Sequence, residues 1–197
     1  MGAADNLPKV TRPPGILRHR APFLAPFWMA GVSALAGLAL LFVVGKATIA
    51  VAGETTTVIV LRHAEKAAGP ADDPQLSPLG VARAERLATL LGSTDIAAVY
   101  ASDTRRTRET AAALAARRGL RVTVRDGKDV RGLLEEIGSR HVGRTVVVVG
   151  HSDTVPEIVA ALTRGRHRVT LADGDFDRLF IVTVTRFGPP AVNELRY

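Results

Sequence analysis

The sequence predicts an α/β domain over residues 54–197, a three-layer α/β/α arrangement with a mostly parallel sheet, preceded by one N-terminal transmembrane helix. Three features predict it. Short β-branched runs alternate with helix-period segments from residue 54 onward, the pattern of strands covered on both faces by helices. Several of the helical segments carry their own start and stop residues. No charged residue occurs between Ala21 and Gly45, a run able to cross a hydrocarbon core of about 30 Å at about 1.5 Å per helical residue.

The N-terminal elements come first. Residues 1–20 hold Pro8, Pro13, Pro14 and Gly15 among basic residues and read as a disordered basic tail. Residues 21–52 read as the anchor. Pro22 and Pro26 stand in its entry region, so the helix proper is expected from about Phe27, with Phe23, Phe27 and Trp28 at the interfacial end. Lys9, Arg12, Arg18 and Arg20 precede the run, which predicts a cytoplasmic N-terminus and an extracytoplasmic domain, periplasmic or at the cell surface. Ala50-Val51-Ala52 resembles a signal-peptidase site, so a cleaved signal peptide is the alternative. The apolar stretch exceeds the roughly 7–15 residues of a signal's apolar region, which favours the uncleaved anchor.

In the domain, Thr57–Leu61 (TVIVL) reads as a buried strand. Ser77-Pro78 opens a helix, Ser as N-cap and Pro at the first helical position; Val81, Ala84, Leu87, Ala88 and Leu91 keep its period and Gly92 closes it. Ile96–Ala101 is a second strand, followed by a helix over about residues 104–118 that Gly119 ends. Val122–Arg125 gives a third strand and Val130–Ile137 part of a helix. Thr145–Val149 (TVVVV) is the strongest strand signal. Thr154 is expected to cap the next helix, with Pro156 and Glu157 in its first turn, running to about Leu162. Leu179–Thr185 and Ala191–Arg196 are expected to form a hairpin across Arg186-Phe187-Gly188-Pro189-Pro190.

Composition excludes several kinds of chemistry. The 197 residues include no cysteine, so disulfides, thiolate catalysis and sulfur-ligated zinc are out. The formal charge of +7 invites a nucleic-acid reading, but aromatics make up 5% and basic residues are interleaved with acidic ones. Without stacking platforms or a groove-reading helix no nucleic-acid partner is expected, and an anionic small substrate fits the charge better. Asp173, Asp175 and Asp177 have the spacing of a calcium loop but lack its twelfth-position Glu and flanking helices, so they read as an acidic turn. No metal and no cofactor is expected.

In sheets of this kind ligands bind beyond the carboxyl ends of the strands. The residues placed there are Arg62-His63-Ala64-Glu65-Lys66, Ser102-Asp103-Thr104-Arg105-Arg106 and Gly150-His151-Ser152-Asp153-Thr154. Two of the five histidines and a cluster of arginines therefore meet at one edge. Guanidinium groups grip phosphoryl oxygens in a fork and stay charged. A neutral imidazole is a nucleophile near neutral pH, and a second, protonated one donates to the same oxygens. Phosphoryl transfer needs chiefly positioning and charge stabilisation, so two histidines with two arginines form a complete pocket without metal.

Arg62-His63 followed by Glu65 resembles the R-H-G or R-H-A-E box of the histidine phosphatase superfamily, also called phosphoglycerate-mutase-like. Ser102, Arg106, Thr110 and Ala111 stand at the spacings of its Ser-x-x-x-Arg-x-x-x-Thr-Ala box, which gives the phosphate-binding role to Arg106 rather than Arg105. Gly150-His151 resembles the third box, and Leu76-Ser77-Pro78-Leu79-Gly80 the family's helix start. The resemblance covers about residues 56–197. Lacking the long insertions of the cofactor-dependent mutases and phytases, the chain looks like a small bacterial phosphatase.

The resemblance implies that His63 attacks phosphorus and becomes phosphohistidine, which water hydrolyses, while Arg62, Arg106 and His151 hold the phosphoryl oxygens. For the general acid it leaves Asp153 first, then Glu65, then Glu135, with Glu136 beside it. One branch of the family places an acid directly after the second histidine, whereas Asp153 is one residue further on; the other uses a mid-chain Glu, where Glu135 or Glu136 falls. The expected function is metal-independent hydrolysis of a small-molecule or envelope phosphomonoester. The alternative is a phosphate- or phosphoprotein-binding signalling module, including a protein phosphohistidine phosphatase.

Overall fold

The computed structural model describes residues 35, 38, 39, 55–69 and 72–197. Leu35, Leu38 and Ala39 are helical; the rest of the expected tail (1–20) and anchor (21–52) lies outside the described residues. Among those described, no helix is long and apolar enough to cross a membrane.

From Thr55 the chain forms β1 (Thr55–Arg62), α1 (Pro78–Leu90), β2 (Ile96–Ser102), α2 (Arg105–Arg118) and β3 (Val122–Arg125). It continues as α3 (Val130–Arg140), β4 (Thr145–Gly150), α4 (Thr154–Leu162), β5 (Arg178–Thr185) and β6 (Ala191–Arg196). The sheet order is β3-β2-β4-β1-β5-β6. The first four of these strands are mutually parallel, while β5 runs antiparallel to β1 and β6 to β5. The sheet is thus mixed, and the parallel expectation holds for the strands joined through helices. The short 186–190 connection can join only antiparallel neighbours, because a parallel pair needs a crossover of about a dozen residues or more.

Side-chain alternation divides the core into two halves. Ile59, Leu61, Val99, Val147 and Val149 pack under α1 and α2 through Leu87, Leu91, Ala111 and Leu114. Their neighbours Val58, Val60, Tyr100, Val146 and Val148 pack under α3 and α4 through Leu133, Ile137, Val155 and Ile158. Burial on both faces is why TVIVL and TVVVV are continuous apolar runs rather than alternating ones. Each such Val or Leu contributes about 1.5–3 kcal/mol of transfer free energy.

Helix ends explain how the loops beyond the strands are held. Ser77 caps α1 by accepting from the Gly80 N–H at 3.1 Å, with Pro78 at the first helical position. Gly80 is also a close approach, since a Cβ there would overlap the Glu65 carbonyl oxygen. The same carbonyl accepts from the Ser77 N–H at 2.8 Å, so the start of α1 rests on the loop after β1. At α4 the expected cap is corrected. Asp153 is the N-cap, accepting from the Thr154 N–H at 2.8 Å, whereas the Thr154 hydroxyl accepts from the His151 N–H at 2.9 Å. A Cβ at Gly150 would meet that hydroxyl at 2.8 Å, so a larger residue there would have to displace the Thr154 side chain from the turn.

Candidate active site

The carboxyl ends of the parallel strands open on a cleft of about 700 Å³ whose walls include Arg62, His63, Arg106, His151, Asp153 and Phe176. His63 is 5% exposed. Its N–H donates to the Gly150 carbonyl at 2.9 Å, which continues the β1–β4 ladder one residue beyond β1. The next N–H, of Ala64, donates to the Thr110 hydroxyl at 3.0 Å, and that hydroxyl donates to the Arg106 carbonyl at 2.7 Å. Thr110 therefore staples the histidine loop to the first turn of α2.

The ring of His63 has one tautomer. Nδ1 lies 2.8 Å from the Ala64 carbonyl oxygen, which can only accept, so Nδ1 carries the proton and Nε2 a bare lone pair. Arg106 Nε–H donates to that lone pair at 3.2 Å. Burial lowers the His63 pKa to about 4; the Ala64 bond opposes the shift, and Arg106, His151 and Arg62 add to it. At neutral pH the ring is therefore uncharged, the form that can attack an electrophile.

His151 stands across the cleft, its ring centroid 5.3 Å away in an edge-on arrangement. Its Nε2 is 2.8 Å from Ser102 Oγ, which lies 2.8 Å from Thr107 Oγ1. The Thr107 hydroxyl donates to the carbonyls of Ser102 and Thr104 at 3.0 and 2.8 Å. With that proton committed to backbone, Ser102 donates to Thr107 and accepts from His151 Nε2–H. Nδ1 is then left to accept from Arg106 Nη2 at 3.5 Å. Burial and the charge of Arg106 lower the His151 pKa, against Asp153 and Asp103. This shift works against the protonated second imidazole expected from sequence.

Arg62 is aimed by a loop that sequence reading did not connect to it. Its Nη1 donates to the carbonyls of Ala172 and Asp173 at 2.9 and 3.0 Å, and its guanidinium lies 4.3 Å from the Phe176 ring centroid. Its Nε is buried and has no hydrogen-bond partner among the described residues. Burial lowers the Arg62 pKa, with Asp173 and Asp175 opposing. Arg105, by contrast, spends its side chain on Glu109 at 2.7 Å and Gln75 at 2.8 Å, outside the cleft.

The carboxylates separate cleanly. Asp153 lines the cleft. Glu65 does not: Arg83 clamps its two oxygens at 2.6 to 3.0 Å. Burial is the largest influence and raises the Glu65 pKa, but the Arg83 hydrogen bonds, a backbone hydrogen bond at Glu65 and the charges of Arg83 and Arg86 together outweigh it and hold the carboxyl below its ordinary range. Glu65 is thus paired outside the cleft rather than lining it. Glu135 pairs with Arg131 at 2.8 Å, and Glu136 with Arg125 at 2.7 Å, both on α3 and neither lining the cleft. The mid-chain carboxylate that does line it is Asp126, directly after β3, joined by Asp103 directly after β2. Applying the strand-end rule to β3 would have found Asp126. Phe176 had no comparable signal, because it sits in the acidic turn. Asp175 there accepts from the Ala172 N–H at 3.0 Å and Asp177 pairs with Arg196 at 2.8 Å. Among the described residues no group of three or more His, Asp or Glu is arranged to hold a metal ion.

The family model described as the histidine phosphatase superfamily (branch 1) matches residues 58–129, a span holding the Arg62-His63 and Ser102–Ala111 boxes. No curated protein matches the chain. Among solved structures, the native mycobacterial glucosyl-3-phosphoglycerate phosphatase is similar with a TM-score of 0.57 at 17% identity, over 73% of this chain and 98% of that one. The protein histidine phosphatase SixA complexed with tungstate gives 0.59 at 21% identity, over 71% and 96%. A protein titled mycobacterial hydrolase 1 gives 0.58 at 18%, over 73% and 99%. At these identities the likeness is one of fold. Residues 58–129, with the two boxes they hold, are thus similar to the histidine phosphatase superfamily, and the solved structures share the chain's fold.

Proposed function

We propose that this phosphatase hydrolyses phosphomonoesters through a phosphohistidine on His63, without a metal. One observation carries the reading: His63 Nε2 keeps a bare lone pair in the cleft because Nδ1–H is spent on the Ala64 carbonyl. As phosphate enters, Arg106 exchanges its bond to that lone pair for phosphoryl oxygens, and Arg62, which lines the cleft, holds another. Nε2 then bonds to phosphorus while the bond to the leaving oxygen breaks, and Asp153 gives that oxygen a proton. Water attacks next, its proton passes to the Asp153 carboxylate, and the N–P bond breaks to release inorganic phosphate. The approaching dianion raises the proton affinity of His151, which can then donate to an oxygen that gains charge in the transition state. Arginines supply the positive charge throughout.

The test is to trap the intermediate. Brief mixing with labelled substrate, then a quench, should leave label on the protein that is labile to acid and stable to base, and absent from His63→Ala. Turnover without any such label sinks the mechanism. One second reading has a specific support in the open cleft and the likeness to SixA, namely hydrolysis of phosphohistidine in a protein. A substrate panel holding both alkyl phosphates and a phosphohistidine peptide separates the two.

We further infer that residues 21–52 tether the chain to a membrane with the catalytic domain outside the cytoplasm. Support comes from the uncharged run after Lys9, Arg12, Arg18 and Arg20. A reporter fused after Tyr197 that is active only in the cytoplasm would reverse this topology.

A further inference from the structure

The edge of the sheet opposite the cleft has its own chemistry. Thr55 of β1 pairs with Thr185 of β5, and Thr57 with Thr145 of β4, so this edge gathers the beginnings of β1 and β4 and the end of β5. The turn after α4 and the turns before β4 and after β5 lie here as well. An apolar cavity of about 500 Å³ opens among them, lined by Val142, Leu162 and Val184 and rimmed by Arg164 and Arg186. Val142 is 46% and Phe187 69% exposed, and the Arg186 guanidinium lies 5.6 Å from the Phe187 ring centroid. Arg140 and Arg144 at this edge have Glu136 and Asp95 as partners. Exposed Arg164, Arg166 and Arg186 pair with no carboxylate among the described residues.

We propose that this edge docks on a bilayer containing anionic lipid, with Arg164, Arg166 and Arg186 on the headgroups and Val142 and Phe187 in the interfacial layer. The occupant follows from charge and from chain direction. Unpaired arginines beside an exposed aromatic ring match a surface that is negative outside and apolar beneath. The described domain also begins at this edge, at Thr55, ten residues after the uncharged run ends at Gly45. Docked this way, the cleft faces away from the lipid by about the length of β1, roughly 25 Å at about 3.3 Å per residue. The chain-direction argument rests on the tethered reading above, to which the docking adds an orientation, while the arginines and exposed ring support the docking independently.

The chain has no cysteine, so single labels are clean. The full chain carrying Phe187→Cys, or Gly174→Cys on the cleft side, is labelled with a fluorophore and mixed with brominated vesicles of phosphatidylcholine alone or with phosphatidylglycerol. Flotation reports tethering and quenching reports docking. Docking requires that the label at 187 be quenched in the anionic vesicles far more than the label at 174, and that added salt weaken the effect. Replacing Arg164, Arg166 and Arg186 together by Gln should lower the docked-to-undocked ratio roughly a hundredfold, with turnover unchanged as the check on folding. Flotation with equal quenching at 187 and 174 overturns the docking and leaves the tether standing. Failure to float on phosphatidylcholine overturns the tether. Salt-sensitive quenching at 187 that persists on anionic vesicles in that case still supports the docking, and its absence overturns both.

Discussion

His63 and His151 face one another across the cleft, yet their second nitrogens are held by different kinds of partner. His63 Nδ1 meets a backbone carbonyl, and His151 Nε2 meets a side-chain hydroxyl. A carbonyl only accepts, so His63 has a single tautomer and a permanently bare Nε2. A hydroxyl can accept or donate, so Ser102 lets His151 present either an acceptor or a donor to the cleft. On the proposed mechanism, the difference gives the nucleophile an invariant lone pair and gives the group that answers to developing charge a partner able to reverse.

Removing His63 tests the invariant half and should have the largest effect. His63→Ala is expected to lose at least about 10⁴-fold in turnover, because no second imidazole in the cleft has its tautomer fixed by a backbone carbonyl. The titration of the ring is the sharper test. Ring C–H resonances followed by NMR should show one histidine titrating near pH 4, missing from the His63→Ala spectrum. A His63 that titrates in the ordinary range would mean the burial argument is wrong. His151→Ala comes next, at about 10²–10³-fold in kcat with a smaller change in KM, as for loss of one donor to transition-state charge. Equal losses in binding of inorganic phosphate would instead make His151 a ground-state ligand.

Asp153 extends the comparison to the leaving group. Asp153→Asn should slow alkyl phosphates by about a hundredfold or more while leaving aryl phosphates, whose phenolate departs without a proton, nearly unchanged. A uniform loss would transfer the role to Asp126 or Asp103, which share the cleft.

How much of this was legible in sequence depended on whether position along the chain carried the information. Strands such as TVVVV and the Ser77-Pro78 and Gly119 helix ends are local, and they stand where local chemistry puts them. The convergence of His63, Arg106 and His151 was legible because strand ends in a parallel sheet share an edge. The anchoring of Arg62 by residues 110 or more positions later was not, since backbone carbonyls leave no trace in side-chain identity. The position of Glu65 outside the cleft was not legible for a related reason. Its box position suggested chemistry, but its partner Arg83 is set by the docking of α1, which no spacing rule reports.

Ser102→Ala tests the reversible half directly. Losing one hydrogen bond to His151 should cost about tenfold in turnover. The informative readout is the His151 tautomer, seen as the relative ¹⁵N shifts of Nδ1 and Nε2 with and without inorganic phosphate. In the intact protein those shifts should change when phosphate binds; in Ser102→Ala the response should be smaller. Identical responses would show that Ser102 merely packs against the ring.

The smallest effect on catalysis is expected at Glu65, and it separates holding the nucleophile loop from acting on the substrate. Glu65→Gln keeps the size of the side chain but removes the charge that Arg83 grips, so turnover should stay within about twofold while stability falls by about 2 kcal/mol. The sign of the pH dependence follows from the lowered carboxyl pKa. The pair's contribution is fully present above the unfolded Glu value of about 4.3 and disappears as pH falls through the lower folded value. Denaturation of the two proteins side by side should therefore show the largest gap at neutral pH, narrowing below about pH 4 as the wild-type carboxylate takes up its proton. A Gln variant as stable as the wild type but unable to hydrolyse alkyl phosphates would return Glu65 to the catalytic machinery. In that event the Arg83 clamp would have to open during turnover, and the loop after β1 would be a moving part rather than a fixed mount for His63.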